Sequence, residues 1–280
     1  MKNFTSKSKI TSNPAMLIIT IIFIAGCYLF TTCTSSTTSL DLTNPKEIID
    51  LGCIVTEDLT EKVWGKAMMA YLGFDRPNHF DVIEWKFDME DGSVSGSNAY
   101  YTIFNHGGPH IDAPNHMDLG GGLDSYSLEA HIGPVKVFDV SHYDKGHTVP
   151  IDVFKDKVSP GDIVLVFTNY TPPQTEEAFP EVITLTFEAS EYLASIPVRS
   201  FGTDAFSVMS TDDEIQIESD SEAARVAPIH YSFLSRKIPI YEGLFQLDRL
   251  VSKQNMYFIG VPLNIKDGDG MLVRPVVLVF

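Results

Sequence analysis

The chain has 280 residues, of which 44% are hydrophobic and 20% charged, a balance that permits a sizeable globular core. Its formal net charge is −17, and a negative surface repels phosphate, so we predict no nucleic-acid partner. The chain has three cysteines, and only Cys53 lies beyond the N-terminal segment. The folded part therefore cannot form an internal disulfide, and we expect Cys53 to be a small buried apolar residue.

The N-terminal segment has the features of an export signal. Lysines precede an apolar run over residues 15–30, and a Thr/Ser-rich stretch follows it. The tetrapeptide Ile24-Ala25-Gly26-Cys27 resembles the bacterial lipobox, in which the cysteine is lipidated and becomes the first residue. An uncleaved signal anchor is the alternative, because the apolar run is just long enough to span a bilayer.

These features divide the chain into three parts. Residues 1–26 are predicted as a signal peptide or signal anchor, residues 27–44 as a flexible tether, and residues 45–280 as one folded domain. We expect the domain to be exported. It is then either a membrane-anchored lipoprotein attached through Cys27 or a periplasmic or extracellular protein.

Strands and helices are intermixed along the folded part, which predicts an α/β or mixed α+β class. Thr186 is placed to cap one helix, and a second covers residues 222–235, with Pro228 disturbing its middle or marking a second start. Apolar runs predict strands over residues 99–104, 135–140, 163–167, 256–261 and 276–280.

The segment 106–116, H-G-G-P-H-I-D-A-P-N-H, carries the clearest chemistry. It holds three of the eight histidines, and imidazole and carboxylate are ligands of zinc, manganese and iron. Its glycines and prolines predict an irregular loop after a strand, which can bring His106, His110 and Asp112 around one point. Composition alone leaves a histidine-bearing surface loop as the alternative.

The same segment resembles the pattern H-x-G-T-H-x-D-x-P-x-H of the cyclase-like metal hydrolases, which include bacterial kynurenine formamidase and isatin hydrolase. The chain matches it at His106, Gly108, His110, Asp112, Pro114 and His116. It departs at Pro109, where the pattern has a threonine that is not a ligand, so any hydrogen bond of that threonine is lost. A second match is His230, on a predicted helix, with Glu242 twelve residues on.

The resemblance implies a single cyclase-like domain of the swivelling β/β/α type, which forms homo-oligomers. It also implies a divalent metal cofactor of two zinc or manganese ions. His106, His110 and Asp112 would bind one ion, with Asp112 bridging to a second. The remaining ligands implied by the family are His230, for the second ion, and Glu242, for both ions.

The implied activity is metal-dependent hydrolysis of a C–N bond in a small amide, formamide or cyclic amide, with or without an aromatic group. Two cations about 3.5–4 Å apart can bridge a water and lower its pKa. His116 is implied as the catalytic acid/base, since an imidazole can take a proton and return it to the leaving nitrogen. A catalytically silent metal- or ligand-binding lipoprotein and a metal-dependent cyclase or lyase remain alternatives.

Other polar and aromatic residues receive structural interpretations. Asp204 either lines the site or stabilises a turn, and residues 267–270 are predicted as a plain turn. His131 is assigned no role. Core packing is the default prediction for three aromatic residues at positions where the family contacts substrate: Phe74, Phe80 and Trp85.

Overall fold

A computed structural model describes residues 43–74, 76–209 and 221–280. The predicted export segment and the tether up to residue 42 lie outside the described residues. Within the described ranges, no helix is long and apolar enough to cross a bilayer. The described residues all fall in the compact unit Asp41–Phe280 and form a mixed α/β domain, as the sequence predicts.

The secondary-structure elements are numbered here in chain order. The strands are β1 (Glu47–Asp50), β2 (His79–Met89), β3 (Gly92–Thr102), β4 (His110–Asp112), β5 (Ile132–Asp139), β6 (Thr148–Val149), β7 (Ile163–Phe167), β8 (Thr184–Leu185), β9 (Ser200–Thr203), β10 (Ile240–Glu242), β11 (Met256–Ile259), β12 (Gly270–Leu272) and β13 (Val276–Val279). The α-helices are α1 (Leu59–Trp64), α2 (Lys66–Leu72), α3 (Phe187–Ser195), α4 (Glu222–Val226) and α5 (Pro228–Leu234).

Among the described strands, nine form one mixed sheet in the order β1-β13-β11-β5-β7-β9-β10-β4-β12. Strands β5, β7, β9 and β10 run parallel at its centre. Side chains alternate across β7, so Val164 and Val166 join the core under α3 and α5, while Ile163 and Leu165 join the core on the opposite face. The apolar run over this strand is therefore buried on both faces, as predicted.

The two predicted helices both form, and the second is split. The Thr186 hydroxyl accepts a hydrogen bond from the Ala189 amide at 3.1 Å and caps α3. Proline lacks an amide hydrogen and suits the first turn of a helix. Accordingly α4 ends before Ala227, whose φ is −138°, and α5 starts at Pro228. The predicted second start is confirmed.

Strands β2 and β3 form a two-stranded sheet of their own. The strand predicted over residues 99–104 is the second half of this hairpin and ends at Thr102. The core assignment of Phe80 and Trp85 is wrong, because both lie on the hairpin and are only partly buried. Cys53 is also only partly buried, and that burial raises the pKa of its thiol to about 11.

Candidate metal centre

His106 lies in the turn between β3 and β4, and a hydrogen bond from the end of α1 holds its backbone. The Trp64 indole N–H donates to the His106 carbonyl at 3.1 Å. Gly270 lies directly beside the imidazole, because a β-carbon there would be 2.5 Å from His106 Cε1. Close approach of the C-terminal segment to this histidine therefore requires glycine at position 270.

His110 and Asp112 lie on a strand, so the loop predicted for this stretch is wrong at these residues. β4 pairs with β10 on one side and with β12 on the other. Side chains two residues apart on a strand share a face, so His110 and Asp112 point to the same side while Ile111 enters the core. Sheet pairing, rather than a loop, positions these two side chains.

Glu242 and His230 come to the same point from other elements. Glu242 ends β10 directly opposite His110 in the sheet register, and directly opposed residues share a face. His230 lies on α5, with its Nε2 3.4 Å from Glu242 Oε1 and 3.8 Å from Asp112 Oδ2. The structure therefore brings the distant predicted pair onto the predicted local cluster.

His110 occupies the middle of the cluster. Its Nε2 is 3.3 Å from Asp112 Oδ1 and 3.3 Å from Glu242 Oε2. Its Nδ1 lies 2.7 Å from the Gly108 carbonyl, and this contact assigns the ring proton to Nδ1. Nε2 then faces the two carboxylates, the orientation expected of a metal-binding histidine.

His116 lies on the solvent side of the cluster, on a 3-10 helix over Pro114–Met117. Its ring centroid is 4.4 Å from that of His106 and 5.5 Å from that of His230. His116 as a whole is exposed, whereas the five predicted ligands are each at most 5% exposed. The pKa of the His116 imidazole is lowered, first by its partial burial and then by the neighbouring His106 and His230 rings.

The buried cluster contains polar atoms without hydrogen-bond partners. Both carboxylate oxygens of Asp112 lack one, as do Nδ1 of His106 and Nδ1 of His230. His106 Nδ1 and Asp112 Oδ1 are 2.9 Å apart but outside hydrogen-bond geometry. Buried polar atoms are rarely left unpaired, since desolvation is then uncompensated. A cation between Asp112 and His106 Nδ1 would satisfy both carboxylate oxygens and that ring nitrogen, so the residues fit a divalent metal.

The electrostatics of the cluster favour positive charge. Burial opposes the charged form of His110, but Asp112 and Glu242 outweigh it and raise the pKa of His110 to about 10. Burial likewise opposes ionisation of Asp112, but His116 and His110 hold its pKa well below the usual value. The two carboxylates therefore stay ionised and attract cations, and the donor set of nitrogen and oxygen without thiolate suits zinc, manganese or iron.

Comparison with known proteins bears on this arrangement. The Cyclase family, described as "Putative cyclase", matches residues 40–209, more than half of the chain. The chain is 31% identical over 206 residues to a kynurenine formamidase of Bacillus cereus, covering 72% of this chain and 88% of the relative. The chain belongs to the Cyclase family.

Solved structures support the fold of this family member. An isatin hydrolase bound to the product analogue thioisatinate superposes with a TM-score of 0.63 at 19% identity, covering 96% of this chain and 99% of the other. A protein described as a potential metal-dependent hydrolase with cyclase activity gives 0.55 at 20% identity, covering 84% and 98%. The cyclase-like fold inferred from the sequence is thus confirmed.

Asp269 is a site residue that the sequence interpretation missed. The predicted turn over residues 267–270 carries its carboxylate to His106, whose Nε2 lies 3.0 Å from Asp269 Oδ2. The Asn105 side-chain amide donates to Asp269 Oδ1 at 2.9 Å. A carboxylate that accepts from one ring nitrogen fixes a histidine and leaves the other nitrogen to the metal. In this Cyclase-family chain, Asp269 therefore orients His106 Nδ1 towards Asp112.

Backbone groups complete the surroundings of the ligands. The Val208 amide donates to Glu242 Oε1 at 2.7 Å, and the Tyr126 hydroxyl donates to the Asp112 carbonyl at 3.1 Å. Asp204 does not join the cluster. Its carboxylate accepts from the amides of Thr168 and Tyr170, which supports the turn-stabilising role rather than a role in the site.

Proposed function

We propose that the chain is a metal-dependent hydrolase that cleaves a C–N bond in a small amide, formamide or cyclic amide. The observation that carries this proposal is Asp112, a fully buried carboxylate with neither oxygen hydrogen-bonded and with imidazoles on several sides. A relative named kynurenine formamidase and a structural neighbour named isatin hydrolase support the reaction class.

We assign the metal ligands as the sequence predicts. His106, His110 and Asp112 would hold one ion, and His230 a second that shares Asp112 and Glu242 with the first. The triad of His106, His110 and Asp112 supports the first ion, since its ligand atoms lie within 4.8 Å of one another. His230 Nε2, which lies 3.4 Å from Glu242 Oε1 and 3.8 Å from Asp112 Oδ2, supports the second. When bound, a zinc or manganese ion supplies Lewis-acid polarisation of a carbonyl and lowers the pKa of a water.

His116 is proposed as the proton carrier. It is the exposed histidine at the edge of the cluster, and its lowered pKa keeps the imidazole neutral near pH 7. A neutral imidazole can accept a proton from the attacking water and then donate it to the leaving nitrogen. Access to solvent allows the proton to be exchanged after each turnover.

A cavity beside His106 supports a substrate with an aromatic group. It has a volume of about 380 Å³ and includes Phe74 and Phe104 in its wall. The Phe104 ring centroid is 5.9 Å from that of His106, and Phe74 packs on Phe104 at 4.7 Å. Phe74 is thus both packed against Phe104 and exposed to this cavity, where an aromatic ring of the substrate would stack.

The proposed function is tested on the full-length chain purified in mild detergent. Metal content is measured by elemental analysis, and turnover is assayed on N-formylkynurenine, isatin and simple aryl amides. His116→Ala is expected to keep its metal and to lose activity by about 100- to 10,000-fold. His147→Ala is the matched control, because this exposed histidine lies outside the cluster, and it should keep both.

Each other outcome has a defined meaning. A folded chain without bound metal would contradict the proposal. Stoichiometric metal with no turnover of any substrate would favour the silent binding protein. Ring closure or elimination without hydrolysis would favour the cyclase or lyase.

We further propose that the domain is exported and tethered to a membrane through Cys27, and that it is a homo-oligomer. The basic, apolar and lipobox-like features of the first 44 residues support tethering. Cys27→Ser should release the protein from the membrane fraction. Continued attachment of that variant would instead indicate a signal anchor.

A further inference from the structure

A cavity of about 650 Å³ lies at the carboxyl ends of the parallel strands β7, β9 and β10. Its wall includes Phe167 and Asn169 from the end of β7, Asp204 directly after β9, and Gly243 directly after β10. In α/β sheets, small ligands bind in the crevice outside the carboxyl ends of parallel strands. The volume also lies within the roughly 300–1,000 Å³ that is usual for small-molecule sites. Position and volume therefore both indicate a binding site.

This cavity is separate from the metal centre. Among the described residues that form its wall, none is a proposed metal ligand, and His116 is not one of them either. The backbone between the two sites is closely packed. A β-carbon at Gly243 would be 3.0 Å from the Gly108 carbonyl oxygen, and one at Gly108 would be 2.7 Å from the Leu59 side chain. A molecule in the cavity would therefore occupy a site of its own.

Helix α1 forms one side of the cavity through Leu59 and Val63. The Tyr170 hydroxyl donates to the Val63 carbonyl at 2.8 Å and so connects this helix to the chain that follows β7. Lys62 also belongs to the wall, but its ammonium group pairs with Asp58 at 2.8 Å. Much of the remaining wall is apolar, as is usual for small-molecule pockets, and includes Ile54, Leu244 and Leu247.

Asp204, in the wall of this cavity, has spare hydrogen-bonding capacity. Its Oδ1 accepts from the amide and from the hydroxyl of Thr168, each at 2.7 Å. Its Oδ2 accepts from the Tyr170 amide at 3.1 Å. Each oxygen of an ionised carboxylate can accept about two hydrogen bonds. Oδ2 can therefore accept a further bond from a molecule in the cavity.

The described chain offers Asp204 no positively charged partner. Its donors are neutral amide and hydroxyl groups, and no cationic side chain of the described ranges forms an ion pair with it. Burial raises the pKa of the Asp204 carboxyl, while the bonds from Thr168 and Tyr170 oppose that rise. Buried carboxylates are normally paired with a cation, and Asp248 adds a second acidic residue to the wall. The cavity therefore favours a cationic ligand over an anionic one.

We propose that this cavity binds a small aromatic amine in its protonated form, whose ammonium group donates to Asp204 Oδ2 and whose ring lies among the apolar side chains. An ammonium group has three donors and suits an acceptor with spare capacity. Aromatic rings pair favourably with one another, and the wall supplies three of them, Phe167, Tyr170 and Phe245. A carboxylate of the same size would meet like charge at Asp204 instead.

The first test is the binding of phenethylamine to the full-length chain in mild detergent at pH 7, measured by titration calorimetry. 2-Phenylethanol has nearly the same shape without the charge, and 3-phenylpropanoate carries the opposite charge. Phenethylamine should bind roughly tenfold more tightly than phenylethanol, because hydrogen bonds to charged groups are the stronger ones. Phenylpropanoate should bind more weakly than both. Absence of phenethylamine binding, or tighter binding of phenylpropanoate, would overturn the proposal.

Cys53 reports where the amine binds, because it also belongs to the wall of the cavity. Its alkylation by N-ethylmaleimide is followed by peptide mass spectrometry, which separates it from Cys27 and Cys33. Saturating phenethylamine should slow alkylation of Cys53 several-fold, and phenylpropanoate at the same concentration should not. An unchanged rate with the amine bound would place the amine elsewhere and contradict the proposal.

Two variants test the charged and the apolar parts of the site separately. Asp204→Asn removes the charge and should weaken phenethylamine binding roughly tenfold or more, with little effect on phenylethanol. Cys53→Phe fills part of the cavity and should weaken both ligands. Val55→Phe is the matched control, because this partly exposed residue lies two positions away and outside the wall, so it should bind both ligands as the wild type does.

Circular dichroism checks the folding of each variant, and Cys53→Phe keeps the test valid if Asp204→Asn does not fold. Wild-type affinity for phenethylamine in a folded Asp204→Asn or Cys53→Phe chain would overturn the proposal, as would equal weakening by Cys53→Phe and Val55→Phe. Metal content and turnover are not readouts here, so this test is independent of the proposed function.

Discussion

The metal centre and the hairpin of β2 and β3 both leave groups in unfavourable surroundings, but for opposite reasons. In the centre, the carboxylate of Asp112 is buried without a hydrogen-bond donor. In the hairpin, the Phe87 ring is 65% exposed and is not packed in the core. Both situations are unfavourable, and each indicates what is missing: a cation in the first case and an apolar surface in the second. Mutations in the hairpin should therefore leave metal binding unaffected, and mutations at the metal centre should leave the exposed face of the hairpin unaffected.

The largest expected effect comes from Asp112→Asn, which keeps the shape of the side chain and removes the charge. Without this buried carboxylate, metal affinity and activity should each fall by roughly 1,000-fold or more. Elemental analysis and turnover measure the effect, and the mass in solution should not change. Asp118→Asn is the control, because this exposed carboxylate lies at the end of the 3-10 helix that follows β4. Full metal content in Asp112→Asn would show that the cluster is held together without a cation.

Asp269→Asn should have an intermediate effect. The amide keeps one oxygen but loses the charge that stabilises the His106 N–H contact, and its NH₂ group opposes the Asn105 amide. Loss of such a supporting group typically weakens metal binding about 10- to 100-fold, measurable by competition with a zinc chelator. Asp267→Asn should bind as the wild type does, because that side chain is exposed and pairs with Lys266.

The result for Asp269→Asn also distinguishes an orienting role of Asp269 from direct binding of the metal. Unchanged affinity would contradict the orienting contact with His106. Loss of one whole ion, with the other bound normally, would make Asp269 a direct ligand together with His106 and His116, whose donor atoms also lie within 4.8 Å of it.

The smallest effect is expected at His131, a buried histidine at the start of β5. The Tyr241 hydroxyl donates to the Gly260 carbonyl at 2.8 Å and therefore accepts from His131 Nδ1 at 2.7 Å. Burial lowers the pKa of His131 from 6.5 to about 4. In the unfolded chain His131 is therefore protonated below about pH 6.5, whereas in the folded chain it is protonated only below about pH 4. The stability that neutral His131 provides is complete above pH 6.5 and is lost as the pH falls towards 4.

His131→Asn retains an N–H donor but does not titrate. Between pH 7 and pH 5, its urea midpoint should therefore fall less than that of the wild type. Equal declines in the two proteins would show that His131 does not contribute to acid sensitivity. The control is His142→Asn, on a loop outside this network.

The predicted ligands were recoverable from the sequence because ligand chemistry constrains residue type and spacing. His106, His110 and Asp112 lie close together in the chain, and His230 with Glu242 could be recognised through the family. The way they are held was harder to predict. Residues 110–112 are too few to show a strand period, and it is pairing with β10 and β12 that makes them a strand.

Asp269 could not be identified because its partner is 163 residues away and its local sequence is that of a turn. The signal that could have indicated it was an aspartate next to a glycine in the predicted turn over residues 267–270. The exposed face of the β2–β3 hairpin was missed for a different reason. Phe87 and Trp85 are apolar residues on a strand, and composition cannot distinguish a face buried in the core from one left for another molecule.

The position of β4 between β10 and β12 determines when during biosynthesis the centre can be assembled. β12 ends at Leu272, so the ligand strand gains its last neighbour only after residue 272 has left the ribosome. A nascent chain that ends before residue 240 has His106, His110 and Asp112 but neither Glu242 nor the strands that align them. The complete set of proposed ligands is therefore available only once β10 has been synthesised.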